Sequence, residues 1–489
     1  MSKIDNISVR MYRMGTGDCF VLKFLAGTEE KYKMMIDCGT WSGSSEKLLK
    51  YVENIKEYVG GKLDLLVITH EHKDHVYGFE ACKAIFTENF DIDRIWMGWT
   101  ENEKNRIVKK WQKDYGDKKK ALALASENLS EIAHDTKTKV FLDTEYNGHN
   151  ILEARKAFAD SISELDILHN SIDDGQYVGG LKGMKIVKEE IANNNVDYFE
   201  PGDIVENIPN LDGIKFYMLG PPKLWEGEIN VDAGGVGESY QHNNKLAELD
   251  SFAAAALSLD KGANAENAPF DDYFNSFDTT VTSQAYNTDS VEWRKIDTEW
   301  LNSAGNFALR INSITNNLSL AFAIEFEDSG KVLLFPGDAE YGSWASWHKI
   351  PWTQTCRNGK PHFTEDLLSR TIFYKVAHHL SHNGTAERLG MDMMKHPDLV
   401  AMATLDYEVI SKNWKNTMPN KSLIKALIKQ AKGRVIIMNE TGLFYDPENV
   451  HPLKDKIKSE RTAMSATDLE NFEKSFKEND LYFEFTVKG

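Results

Sequence analysis

Cysteine is scarce. The 489-residue chain has four, Cys19, Cys38, Cys82 and Cys356, and none stands at the spacing of a metal-binding pair. Cys19 and Cys38 lie in apolar, strand-like contexts and read as small buried residues. A reducing, cytoplasmic setting fits this usage. Long apolar runs are also missing. None is long enough to span a bilayer and no N-terminal stretch reads as a signal peptide, so no membrane partner is expected. Positive charge is in short supply: 57 Lys and Arg against 75 Asp and Glu give a net charge of −18. Such a surface repels polyanions as a whole, and a nucleic-acid ligand would need a local basic patch. There is no internal repeat and no low-complexity tract. The length permits one large domain with insertions or two to three ordinary ones, and 41% hydrophobic residues can supply a substantial core.

Histidine, by contrast, is concentrated. Thr69-His70-Glu71-His72-Lys73-Asp74-His75 packs three imidazoles and two carboxylates behind a mostly apolar run, Leu63 to Ile68. That run reads as a buried strand and Val76 to Phe86 as the helix after it, which puts the cluster on a strand-to-helix turn. Neutral imidazole suits zinc, manganese or iron, and a carboxylate can take a second ion.

Around this turn the pattern is short strands and tight turns. Strands are expected at Ile7–Tyr12, Cys19–Phe24, Tyr32–Ile36, Arg94–Gly98, Ile214–Leu219, Leu318–Phe326, Val332–Phe335, Thr371–Ala377 and Arg434–Met438. Helices are expected at Glu46–Tyr58, Lys119–His134, Ile151–Leu168, Lys421–Ala431 and Thr467–Phe476. Residues 100–205 are rich in Lys, Asp, Glu, Ala and Asn and read as a mainly helical insertion in a single domain, 1–489. Residues 223–306 read as a second insertion and 447–489 as a C-terminal extension. Lys104 to Lys120 carries excess positive charge interleaved with Trp111 and Tyr115. It reads either as a strip that meets phosphates or, more simply, as a solvated helix face.

Four strands end in a candidate ligand: Asp37, the His70–His75 cluster, Asp338, and the pair His378 and His379. Functional groups gather where loops leave one end of a sheet. His70, His72, Asp74, His75, Asp338 and one of the paired histidines would make a two-metal site, with Asp338 as the bridge. Such ions lower the pKa of a shared water and clamp the oxygens of a phosphoryl group. Neighbours on a strand face opposite sides, so His378 and His379 reach one pocket only if the strand ends between them. One would be a ligand and the other would contact substrate or protonate a leaving group. The residue types do not say which, and His382 can also approach.

These motifs, in this order, resemble the metallo-β-lactamase superfamily, whose signature is HxHxDH after a strand. The likeness extends to the soluble catalytic domain of the ComEC DNA-uptake family. It is carried by Gly15-Thr16-Gly17-Asp18, Asp37-Cys38-Gly39, His70 to His75 followed by Gly78, Asn316-Asn317-Leu318-Ser319-Leu320, Gly337-Asp338, a loosened His378-His379-Leu380-Ser381 element, and Ile424 to Gly442. The resemblance implies an α/β fold, the αββα four-layer sandwich, with metals at its edge and two large insertions. The separate histidine that many members carry is replaced by Gly220-Pro221-Pro222. That leaves a first metal with His70, His72 and Asp338, unless His242 folds back.

The resemblance implies a metal-dependent hydrolase of phosphodiester bonds, in the first place a nuclease, using one or two divalent ions, zinc or manganese. Asp74 and Asp338 would hold the metals and orient the nucleophile, and the free histidine of the pair would assist the leaving oxygen. A small phosphodiester, such as a nucleotide signal or a phosphocholine-type ester, is the alternative substrate. Trp344, Trp347 and Trp352 would then line its pocket or pack in the core. A partner-gated role in a multiprotein defence assembly is the third reading.

Overall fold

The computed structural model describes residues 3–41, 45–134, 145–146, 149–173, 176–177, 181–192, 195–223, 252–253, 255–257, 301, 303–352, 364–410, 414–416, 418–439 and 453–489. The expectations for Cys356, His242, Thr441-Gly442 and most of 223–306 lie outside these residues. The chain divides into two compact units. One comprises Met1–Asn105, Leu181–Asn243 and Ser313–Gly489, the other Arg106–Gly180 and Asn244–Asn312.

The first unit holds two large sheets. In the eight-stranded sheet the order is Val196–Phe199, Ile95–Gly98, Leu65–Val67, Glu29–Ile36, Phe20–Ala26, Asn6–Tyr12, Tyr482–Lys488 and Phe476–Glu478. The four strands from Val196–Phe199 to Glu29–Ile36 run parallel, and the remaining pairs are antiparallel. The seven-stranded sheet runs Ile204–Val205, Ile214–Met218, Phe322–Phe326, Val332–Phe335, Thr371–Lys375, Val400–Asp406 and Val435–Asn439. It is antiparallel up to Val332–Phe335 and parallel beyond it.

Period-2 alternation sets the layers. Ile7, Val9, Met11, Phe20, Leu22 and Phe24 face Phe216, Met218, Phe322, Leu333, Phe335, Phe373 and Met402 in a core between the sheets. The residues between them point outward. Val21, Met35 and Leu66 meet the helices Ser45–Val59 and Lys73–Ala81 through Leu48, Val52, Ile55, Val76 and Phe79. Tyr217, Leu334, Tyr374, Ala401 and Val435 meet Trp344, Trp347, Leu367, Ile424 and Leu427 on the other outer face. The result is helix, sheet, sheet, helix, consistent with the expected metallo-β-lactamase sandwich.

Several elements differ from their sequence reading. The expected strand Leu63–Ile68 is two pieces: Lys62–Leu63 pairs with Asp91–Ile92, and Leu65–Val67 joins the main sheet. Asp64 separates them, bonded to the Lys33 backbone through its own N–H and its side chain. Leu318 and Leu320 are not strand. The helix Ala304–Asn317 ends just before them, and Phe322–Phe326 alone is extended. The strands Val400–Asp406, Val196–Phe199 and Tyr482–Lys488 are absent from the sequence reading. Trp344, Trp347 and Trp352 are core residues, with the Trp344 indole N–H donating to Gly384 O at 2.9 Å.

In the second unit the helices Arg106–His134 and Ile151–His169 pack together. Tyr115 is buried and its hydroxyl donates to Ile311 O at 3.0 Å, while Trp111 stacks on it. Lys119 is buried as well. The aromatics of the Lys104–Lys120 strip therefore turn inward, and Lys104, Arg106, Lys109, Lys110 and Lys113 are its exposed cations.

Candidate metal centre

The strand Leu65–Val67 delivers Thr69 to His72, and His72 stands at the N-cap position of the helix Lys73–Ala81. Asp74 and His75 thus sit in a first helical turn, where the helix dipole favours a carboxylate. Two glycine motifs grip this turn. Asp18 N–H donates to Asp74 O at 2.9 Å, Cys38 N–H to His75 O at 2.8 Å and Gly78 N–H to Cys38 O at 2.7 Å. A Cβ on Gly39 would lie 2.2 Å from the carbonyl carbon of Asp74, so only glycine lets the chain pass there. On the other sheet, Gly337 turns the chain at φ +60°, and Ser319 Oγ accepts from Asp338 N–H at 3.0 Å.

The pair His378 and His379 follows the strand Thr371–Lys375 in a left-handed turn, with φ of 46° and 48°, and Leu380 continues it at 66°. Three consecutive non-glycine residues in this region are costly and mark a built feature. The turn resolves the face problem of adjacent histidines and separates them. His379 Nε2 lies 3.0 Å from Asp74 Oδ2 and 3.1 Å from Asp338 Oδ2. His378 points elsewhere, with Nδ1 3.5 Å from Glu340 Oε1 and Nε2 3.4 Å from Asn316 Nδ2. His382 is partly buried and has no place in this ligand group.

Asp74, His75, Asp338 and His379 each bring one ligand atom to within 4.8 Å of the others, and all four are buried. His75 Nε2 lies 3.2 Å from Asp338 Oδ2. His70 and His72 stand beside this group. The His70 ring centroid is 4.0 Å from that of His75, and His70 Nε2 is 3.0 Å from His72 Nδ1.

Both imidazoles of this group are held from behind. His75 Nδ1 donates to Asp37 Oδ2 at 2.7 Å, and Asp37 also accepts from Thr69 N–H and Oγ1–H at 2.8 and 2.6 Å. Thr404 Oγ1 donates to Asp18 Oδ1 at 2.6 Å, so at 2.8 Å it must accept from His379 Nδ1–H. That hydroxyl has one proton to give. Both Nε2 atoms are thereby turned toward the carboxylates, as ligating imidazoles oriented by an outer shell are.

Electrostatics follow burial and charge. Burial lowers the pKa of both His70 and His72, that of His72 to about 4. Burial also opposes charge on His75 and His379, yet neighbouring carboxylates outweigh it. Asp338, Asp37 and Asp18 hold His75 well above the usual range, and chiefly Asp338 holds His379 at about 9. Burial would raise Asp74 and Asp338, but His379 and His75, with Lys375 beside Asp338, keep both below the ordinary carboxylate range. Asp74 Oδ1 is buried and accepts no hydrogen bond among the described residues. A divalent cation fits this donor set: two carboxylates, two oriented imidazoles and an unused oxygen.

A second cluster, Asp18, Asp37 and His75, is equally compact. Its oxygens are already engaged by Lys375, Thr404, Thr69 and His75, so it is a supporting layer. Sequence reasoning did not assign Asp18, Thr404, Lys375, Ser319 or Glu340 to the site. Asp18 stood in a quoted glycine turn, and Thr404 ends the apolar run from Leu399, which was a usable strand signal.

No curated protein and no solved structure matches the chain. A family model does match, and it reaches the superfamily without reaching the ComEC-like subgroup. Residues 13–89, which run from the first glycine turn through the His70–His75 cluster, are similar to the metallo-beta-lactamase superfamily.

Proposed function

We propose that the chain is a metal-dependent hydrolase that cleaves phosphodiester bonds, in the first place those of a nucleic acid. The observation that carries the reading is the buried set Asp74, His75, Asp338 and His379. The superfamily likeness of residues 13–89 supports a metal-dependent hydrolase at the coarser level. One or two divalent ions held there, zinc or manganese, would supply Lewis acidity and lower the pKa of a bound water. The remaining work falls to the chain's own groups. Asp37 and Thr404 keep His75 and His379 aimed. Asp338 faces both imidazoles. His378 has a side chain 15% exposed, against 1% for His379, and so is the histidine of the pair that can meet substrate. Burial holds its pKa below the ordinary range. Neutral near pH 7, it would meet a phosphoryl or leaving oxygen through Nε2, with that oxygen taking the place of Asn316 Nδ2, 3.4 Å away, and the ring proton carried on Nε2. Ser313 and Asn316 fix Glu340 behind it at 2.5 and 2.7 Å.

The net charge of −18 favours the second reading, a small phosphodiester that needs no extended basic surface. Substrate size decides. Full-length protein supplied with manganese, zinc or magnesium would be assayed on single- and double-stranded DNA, RNA and bis(p-nitrophenyl) phosphate. Cleavage of long nucleic acid that is lost in Asp74→Ala is the expected result. Cleavage of the small ester alone would replace it with the second reading. A metal-loaded protein inactive on every substrate would contradict both and turn attention to a gating partner.

A further inference from the structure

Lys375 closes the strand Thr371–Lys375 and is 1% exposed. Its ammonium lies 2.5 Å from Asp18 Oδ2, 3.1 Å from Asp338 Oδ1 and 2.8 Å from Gly337 O. Three acceptors meet three N–H donors, so the group is fully satisfied without water. Stability does not call for it. A methionine would fill the same volume with no ion to desolvate, and buried pairs of this kind are often no better than packed apolar residues. Geometry does call for it. Asp338 has two oxygens. Lys375 takes Oδ1, and Oδ2 is left facing His75 Nε2 and His379 Nε2 at 3.2 and 3.1 Å. Asp18 anchors the lysine from the far side and is itself fixed by Thr404. The chain Thr404, Asp18, Lys375, Asp338 thus runs behind the ligand set, from the strand Val400–Asp406 to the loop after Val332–Phe335.

We propose that Lys375 is a positioning residue of the metal centre, an internal cation that pins Asp338 through Oδ1 so that Oδ2 alone is presented to the metal. It rests on the metal-centre reading above. A point charge on a flexible stem suits the place, and a planar guanidinium would not.

The test is metal affinity, read by chelator competition, on the full chain with Co²⁺ and Zn²⁺. Lys375→Met/Asp18→Asn removes one positive and one negative charge together, so local net charge is kept and Asp338 retains His75 and His379 as its partners. Its metal affinity is expected to fall about tenfold or more, the scale on which outer-shell partners act. The visible spectrum of bound Co²⁺ should shift, and the thermal midpoint without metal should stay near that of wild type. Asp18→Asn alone keeps the lysine on Asp338 and should lose much less. Lys375→Gln/Asp18→Asn retains a donor at that place and should recover part of the loss. If the methionine pair does not fold, the glutamine pair is read against wild type by the same criterion. Wild-type affinity and an unshifted Co²⁺ spectrum in the folded pairs would overturn this inference alone. A wild-type chain that binds neither ion would overturn the metal-centre reading, and this inference with it.

Discussion

Thr404 Oγ1 and His379 Nδ1 stand 2.8 Å apart, and the direction of the bond between them is set by a third group, Asp18, which takes the hydroxyl proton at 2.6 Å. The imidazole must therefore donate from Nδ1, and Nε2 is the atom turned to Asp74 and Asp338. Thr404→Val keeps the shape of the side chain and removes this acceptor. Metal affinity should drop roughly 10- to 100-fold, the range for loss of an outer-shell partner. The fold should persist, as judged by an unchanged far-ultraviolet circular dichroism spectrum. Unaltered affinity would show that the Thr404 hydroxyl is not needed and that the backbone carbonyl of residue 404, 3.2 Å from His379 Nδ1, orients the ring by itself.

The two adjacent histidines should separate in function. His379→Ala removes a ligand and should abolish or sharply reduce metal content. His378→Ala leaves the ligand set whole, so metal content should stay at the wild-type level while turnover falls about 10²-fold or more, the usual share of one positioned proton-transfer or oxygen-binding group. Elemental analysis beside a phosphodiester assay checks both. Metal loss in the His378 variant with retention in the His379 variant would reverse the assignment.

Arg10 joins the first strand to the last. It lies 2.7 Å from Glu484 and stacks between the rings of Tyr58 and Tyr482, at 3.3 and 3.5 Å from their centroids. Burial works against the Glu484 carboxylate, and Arg10 outweighs it, holding the pKa below the usual value. Arg10→Ala leaves that carboxylate with the exposed Lys477, 3.4 Å away, as its cation and should cost about 3 kcal/mol in urea unfolding, the low end for a broken buried pair. Glu484→Gln leaves the stacked guanidinium in place and should cost less. The reverse order would mean that the rings contribute little.

In the helix Ile151–His169, burial raises Asp166 to about 6, partly opposed by the amide of Asn170 at 2.6 Å. A folded-state pKa above the unfolded one gives stability that is complete below the unfolded value and lost as pH rises through about 6. Asp166→Asn should therefore raise stability at pH 7.5, by up to about 2–3 kcal/mol at roughly 1.4 kcal/mol per unit. The gain should largely vanish at pH 4. Thermal melts at the two pH values decide, and an equal effect at both would contradict the linkage.

Legibility followed sequence distance. His70 to His75 stood out because five ligand-type residues lie on one turn. The sheets were readable where alternation was clean, as from Ile7 to Met11. Val400–Asp406 and Tyr482–Lys488 went unread, although apolar residues at Val400, Met402, Phe483, Phe485 and Val487 carried the signal. No local pattern could show that Lys375 is buried, since a lysine at a strand end ordinarily faces water. Only the approach of Asp18 and Asp338, both distant in sequence, makes its place intelligible. The split of His378 from His379 depends on positive φ at three residues that have no glycine to announce it.

The most direct test of the account is the metal content of the full-length protein after reconstitution with zinc or manganese, compared between wild type and Asp338→Ala. The account predicts at least one ion per wild-type chain and a marked loss in the variant, because Asp338 faces both His75 and His379. Equal metal content in the two proteins, or none in either, would contradict it.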